Sequence, residues 1–366
     1  MKLKFTRRSF EKKILVLLLS ILSGMVTNAQ DFHLTQYDAA PLNLNPSMTG
    51  MFDGYYRIHG HYRTQWSAIA NNAFQTMEIG YDMPLKNFSV GGQLMDYTAG
   101  TGNYNVFSFE ASGAYDIKLD SSNFHHISVG LQAGIIQKSL NFAKLTWGNQ
   151  YDYSGSTSGN PFNSTYNSGE TNSTQSLIIP DVNLGFTYYY AKDASRINPF
   201  FGFSVSHLTH PTETFYSTSN KLPLKYIIHT GCKVNINETF ALLPKIFIMR
   251  QTLLETNRKS NDKEMTFNLM VHYYLKQSDA FIFAGPTLRF SGPLSKSNIN
   301  NLEGVEDDAA AIDFGLKYGR YTYRVSYDLN TSTLKPYTSG RGGLEISITY
   351  IGRKQKPNLI FNCPRL

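Results

Sequence analysis

Four side chains capable of chemistry alternate in the stretch Arg57-Ile58-His59-Gly60-His61-Tyr62-Arg63. In an extended chain side chains point to opposite faces with a period of two, so Arg57, His59, His61 and Arg63 share one face. Histidines at i and i+2 could chelate a metal, and with the arginines they form a charged cluster able to bind a partner or substrate. A metal site needs further histidine or carboxylate ligands in matching positions, which one strand does not supply. The bland reading fits better: polar packing against Glu78, Asp82 and Glu110 of neighbouring strands. Other pairs are weaker. Ser206-His207, or Asp31 with His33, would serve nucleophilic catalysis only with an orienting third group, and the spacing demands none. The chain contains no Walker loop, zinc-protease helix motif or nucleophile elbow. In a strand, His125-His126 can aim at most one ring inward. Glu306-Asp307-Asp308 falls in an expected loop, where such a run is more often a solvated face than a calcium site. The expectation is no catalytic residue, no metal and no cofactor.

The elements that carry these residues read as strands from end to end. Tyr56, Ile58, Gly60, Tyr62, Thr64 and Trp66 oppose Arg57, His59, His61, Arg63 and Gln65. The same alternation recurs near 264–276, 310–318, 321–330 and 343–350. Fourteen candidate strands result, at 54–66, 73–83, 87–95, 104–117, 124–138, 181–190, 199–208, 224–235, 239–250, 264–275, 280–290, 309–318, 321–330 and 342–352. Pro244 and Pro286 interrupt two of them and suggest a bulge or a rim position, because proline cannot donate to a ladder.

The first residues place this strand set in a cellular compartment. Lys2, Lys4, Arg7, Arg8, Lys12 and Lys13 precede an apolar run from Ile14 to Val26, and Thr27-Asn28-Ala29 supplies the small residues of a cleavage site. That is a signal peptide over 1–29, too short to span a bilayer as a helix. No Cys follows it, so a lipid anchor is not expected. Residues 1–29 hold six of the 34 basic side chains and one of the 27 acids, so the whole-chain charge of +7 falls to about +2 after cleavage. The basic balance therefore belongs mainly to the export signal, and nucleic acid is not an expected partner. Cys232 and Cys363 make no disulfide framework, and Cys232 reads as lipid-facing.

No later segment is apolar for long enough to be a transmembrane helix. Only helices and closed barrels satisfy their backbone in lipid. Abundant Tyr and Phe beside Asn, Ser, Thr and Gly suit a wet lumen inside an apolar band. The expected fold is an all-β, antiparallel transmembrane barrel of about fourteen strands over 54–352, in the outer membrane of a Gram-negative cell and in contact with its lipid. Short connections at 84–86, 118–123, 191–198, 236–238, 276–279 and 319–320 would alternate with outer loops at 67–72, 96–103, 139–180, 209–223, 251–263, 291–308 and 331–341. Loop 139–180 is rich in Ser, Asn, Gly, Thr and Tyr and reads as a flexible surface loop rather than a lid. Segment 30–53 is expected to be periplasmic or plug-like, and 353–366 to be a periplasmic tail.

These residues resemble a known family. Gln36-Tyr37, then Leu44-Asn45-Pro46 and Gly50, resemble the opening of the PorP/SprF type IX secretion membrane proteins. Arg57 and Tyr62-Arg63-Thr64-Gln65-Trp66 match that family's Tyr-Arg-x-Gln-Trp element. Val325-Ser326-Tyr327-Asp328, Gly343 with Glu345, and Cys363-Pro364-Arg365 resemble its penultimate strand, last strand and tail. Departures are Ser47 where Ala is usual, a final Leu366 where Phe is common, and the long 139–180 loop. The resemblance covers nearly the whole mature chain. It implies a non-enzymatic component of the type IX secretion and gliding-motility machinery. Such a component associates with periplasmic ring proteins and, in some members, with a large secreted adhesin. The implied contact surfaces are 30–53, the periplasmic turns, 354–366 and the outer loops. Read without the family, the chain also suits an uptake channel for small or hydrophobic solutes, and less well a barrel hydrolase.

Overall fold

A strand whose two faces differ in polarity must put one face in lipid and the other on water or on polar partners. A closed barrel does this without leaving an edge. The computed structural model describes residues 33–352 apart from 67–73, 153–161, 164, 171–174, 193–194, 217–219, 253–260, 276–279, 294–305 and 333–334. The signal segment 1–29 and the tail with Cys363, Pro364 and Arg365 lie outside the described residues.

Fourteen strands close on themselves, each antiparallel to its neighbours in sequence, with the first paired to the last. They are β1 Tyr56–Gln65, β2 Phe74–Leu85, β3 Phe88–Ala99, β4 Tyr104–Lys118, β5 His125–Ser139, β6 Ser176–Tyr190 and β7 Ile197–Ser206. The second half comprises β8 Leu224–Asn235, β9 Phe240–Thr252, β10 Asn261–Leu275, β11 Ala280–Pro293, β12 Glu306–Tyr318, β13 Tyr321–Asn330 and β14 Arg341–Gly352. The closing seam is complete, from Tyr56↔Gly352 to Gln65↔Gly343. We call the mouth where β1 begins and β14 finishes the termini end, and the other the loop end.

Polarity is inverted relative to a water-soluble protein. Ile79, Leu131 and Ile312 stand outward at 56%, 54% and 66% exposure, while Glu78, Gln132 and Asp313 beside them are buried. At the termini end outward rings touch in a row: Tyr56 with Tyr81 and Tyr350, and Tyr321 with Tyr323 and Tyr350. That is the aromatic girdle of a membrane interface. Arginine in place of Leu131, midway along β5, is expected to lower folding stability by about 2–4 kcal/mol. Denaturant titration of the barrel folded into vesicles measures this, and a variant as stable as the parent would mean that this face does not meet lipid.

Several boundaries differ from the periodicity. β3 runs on to Ala99, β6 starts at Ser176, β10 at Asn261 and β12 at Glu306, so each is longer at the loop end than the alternation implied. In these stretches polarity no longer alternates between the two faces, and the ladder outlasts the hydrophobic period. The Gly100–Asn103 loop thereby shrinks below some turns, and Glu306-Asp307-Asp308 belongs to a strand, not a loop. The prolines form neither bulges nor rims. Pro244 pairs with Leu269 and Pro286 with Ile312, each well inside its strand. The ladder lapses only on the other side, toward β8 for Pro244 and toward β10 for Pro286, where the missing N–H points.

Candidate functional site

The lumen is occupied by the chain's own beginning. From His33 to Phe52 the chain passes through two 3-10 turns, Tyr37–Ala39 and Pro46–Met48, around one helical turn, Pro41–Leu44. Leu42, Leu44, Met48, Gln36 and Asn45 are all buried. A segment this short has no core of its own, so it is held by the wall. We call it the luminal strap.

Near the loop end the strap is bound by an ionic cluster. The Glu345 carboxylate accepts from the backbone N–H groups of Thr35 (2.6 Å) and Gln36 (2.8 Å) and pairs with Arg63. His61 Nε2 lies 3.1 Å from its second oxygen. The Thr35 hydroxyl donates to Asp328 at 2.8 Å, and Arg63 and Arg289 each reach Asp328 at 3.0 Å. Gln36 Nε2 donates to Ser326 (3.0 Å), and Ser347 donates to Gln36 Oε1 (2.6 Å).

Midway down, Asp38 pairs with Lys245 and Arg324. Burial pushes the Asp38 carboxyl up, but the two cations more than offset this and hold it well below the usual carboxylate range. Tyr37 stacks on Phe247 with ring centroids 4.7 Å apart.

Lower still, Asn45 folds back on its own turn. Its Oδ1 accepts from Ser47 N (3.0 Å) and Ser47 Oγ (2.7 Å), and its Nδ2 reaches Phe186 O (3.1 Å) and Thr187 Oγ1 (3.2 Å). Gly130 and Gly185, paired across β5 and β6, leave room for this turn. A Cβ on Gly130 would lie 2.3 Å from the Pro46 carbonyl carbon and the Ser47 nitrogen, and one on Gly185 1.9 Å from Asn45 Oδ1. Finally, Gly50 N–H donates to Asp82 (2.6 Å), and Asp82 also holds Arg57 at 2.7 Å.

The strap is not the sole filling. At the termini end of the wall, Phe200, Leu243, Met270, Phe281 and Phe283 point inward and pack together, with His272 stacked on Phe281 at 5.0 Å.

Of the residues singled out from sequence, Gln36, Tyr37, Asn45, Pro46, Arg57, Arg63, Ser326, Asp328 and Glu345 are brought together on the strap and its walls. Tyr62, Trp66 and Tyr327 are not. Tyr327 is exposed on the outer face, Tyr62 shares that parity on β1, and Trp66 closes β1 edge-on to Phe74 at 4.9 Å. Gln65 is half-buried at the loop end, opposite Gly343. The expected packing of β1 holds for Arg57 on Asp82 and His59 on Glu78 (3.2 Å). Glu110 instead engages Gln93 and Asn183, while Arg63 and His61 turn to Glu345. His126 faces inward onto Asp116 at 2.8 Å, and His125 faces outward. His207 pairs with Asp181 at 3.0 Å, and Asp308 pairs with Arg289. Cys232 is a free thiol. Among the described residues no three His, Cys, Asp or Glu side chains are placed to hold a metal. Lys245, Arg289, Arg324 and the two seating glycines escaped the sequence reading. The inward parity of the three cations was legible, but their partners were not.

The family described as type IX secretion system membrane protein PorP/SprF matches residues 26–350. No curated protein matches the chain. Among solved structures, the CymD monoaromatic hydrocarbon channel is similar at TM-score 0.48 and 11% identity over 87% of this chain and 94% of that one. A TodX deltaS2S3 mutant monoaromatic hydrocarbon channel gives 0.47 and 12% over 85% and 93%. A Pseudomonas aeruginosa FadL homologue gives 0.44 and 10% over 84% and 92%.

Proposed function

The chain belongs to the PorP/SprF family of type IX secretion system membrane proteins, and from that premise we propose that it is a non-catalytic outer-membrane component of that machinery. It serves export or surface attachment of a large secreted adhesin, in secretion or in gliding. The observation that carries this reading is the family match over 26–350 on a barrel whose lumen is filled by its own strap. An uptake channel needs a continuous path of weak sites. Here Glu345, Asp328, Asp38 and Asp82 are all taken up by the chain's own cations or backbone. A barrel closed in this way works through its surfaces: the termini-end turns and tail for periplasmic ring proteins, and the loop end for the exported partner.

Affinity purification from native membranes in mild detergent, followed by mass spectrometry, tests the proposal. The expected result is co-recovery of periplasmic ring proteins or of one large adhesin. Recovery of the barrel alone at good yield, with solute flux after reconstitution, would favour the uptake channel instead.

A further inference from the structure

The run Asp262-Lys263-Glu264 near the start of β10 looks electrically self-contained in the sequence. In a strand it is not, because neighbours along the chain point to opposite faces. Asp262 and Glu264 are buried in the lumen, whereas Lys263 shares the outward parity of the exposed Phe267 and Leu269. Its direct cross-strand partner on β9 is Arg250, which is exposed on the same face. Two cations directly opposite one another on a sheet repel and weaken the pairing. The residues around them in register are neutral. Arg250 faces Tyr226 on β8, Lys263 faces Gly292 on β11, and the next outward pair toward the termini end is Met265 with Ile248.

The depth of the pair in the membrane decides what meets it. Below it the outward face of β9 and β10 is apolar, with Ile246, Ile248, Met265, Phe267 and Leu269. Phe267 also meets Phe290 of β11 edge-on at 6.1 Å. At the termini end this face closes on Tyr273, whose ring lies 5.0 Å from that of Phe240. Ten residues separate Lys263 from Tyr273. That is about 34 Å along a strand and, at a tilt of about 40°, about 26 Å across the membrane. The apolar band of an outer-membrane barrel is about 25 Å tall. With Tyr273 at one interface, Arg250 and Lys263 stand at headgroup depth in the other leaflet.

We propose that Arg250 and Lys263 form a phosphate site for the phosphorylated glycolipid of the outer leaflet, lipid A. A phosphate between the two side chains turns their repulsion into charge-assisted contacts, and the planar guanidinium of Arg250 suits two phosphate oxygens. The acyl chains of the same lipid then lie along Ile248, Met265, Phe267 and Phe290. This goes beyond the secretion reading. It shares with that reading only the orientation of the loop end toward the cell exterior.

Titration of the purified full-length barrel in mild detergent with diphosphoryl lipid A tests the site. Native mass spectrometry reads retention of the lipid, and the gel-mobility assay reads the unfolding temperature. The expected result is that lipid A is retained and raises the unfolding temperature. Arg250→Gln combined with Lys263→Gln should weaken retention at least about tenfold and abolish the rise. Without lipid the double variant should melt no lower than the parent, because the substitutions remove a repulsion, and this also shows that it folds. Lower melting without lipid would mean that the two cations are already neutralised within the chain, and overturns the proposal. Equal retention by parent and variant, or equal retention of lipid A stripped of its phosphates, overturns it as well. Phosphatidylglycerol held as tightly as lipid A would overturn the choice of lipid. None of these readouts involves a secretion partner, so failure of the co-purification leaves them unchanged.

Discussion

Glu345→Ala is expected to free the strap from the loop end of the lumen and to cost the folded protein about 3–5 kcal/mol, the range for deleting one partner of a buried ion pair. The carboxylate is wholly buried and takes four donors: Arg63, His61 and the backbone N–H groups of Thr35 and Gln36. Its loss leaves Arg63 with Asp328 as its remaining carboxylate, shared with Arg289, which also pairs with Asp308. The two backbone donors lose a charged acceptor in a site where water must enter to replace it. The β13–β14–β1 ladders do not involve the side chain, so the barrel itself should still close. Damage should therefore appear first as chymotrypsin cleavage within the strap, at residues such as Tyr37 and Leu44, and second as a lower unfolding temperature in the gel-mobility assay of heat-treated barrel. Glu345→Gln keeps one acceptor and the side-chain volume, and should fall between the parent and the alanine variant. An alanine variant with parental protection and melting would mean that the cluster does not hold the strap.

That cluster also marks where sequence reading stopped. The barrel was legible because lipid imposes a period of two wherever a strand crosses it. Tyr56, Ile58, Tyr62 and Arg57, His59, His61 declare their faces without any knowledge of neighbours. Strand ends were less legible because the residues of Tyr97–Ala99 and Ser176–Pro180 do not alternate in polarity between the two faces. The site was half legible. Arg63, Asp328 and Glu345 could be named from motif order, and their inward parity follows from the alternation. Their convergence on Thr35 depends on barrel closure and on the path of the strap, since residues 35 and 345 are distant in sequence. Segment 30–53 could be read as a plug or as a periplasmic arm because a short run with turn-forming residues carries no periodicity to say what covers it. The steric fit at Gly130 and Gly185 has no sequence signal at all. Glycine in a barrel strand looks the same whether it lies against lipid or against another backbone.

Valine at Gly130 is expected to expel the Asn45-Pro46-Ser47 turn while leaving the barrel assembled. An added Cβ would stand 2.3 Å from the Pro46 carbonyl carbon and the Ser47 nitrogen. Both are backbone atoms, so no rotamer change relieves the contact, and the strap must move. At Gly185 the obstacle is the Asn45 side-chain oxygen, which can swing aside, so Gly185→Val should act more weakly. Movement at Gly130 breaks the Ser128 hydroxyl bond to Ser47 O (2.7 Å) and the Ser47–Thr187 contact (2.7 Å). The wall loses nothing comparable, because β-branched residues suit strands. Gly60→Ala is the matched control, since its nearest neighbour would be Glu78 O at an ordinary 3.9 Å. Two readouts divide the question. Protease cleavage of the strap in the Gly130→Val barrel, and not in Gly60→Ala, would establish that the glycine pair seats it, and parental protection would refute that. Conductance in planar bilayers then separates the two fillings of the lumen. Current through Gly130→Val alone identifies the strap as the barrier. A displaced strap with no current assigns closure to the wall itself, where Phe200, Leu243, Met270, Phe281 and Phe283 meet.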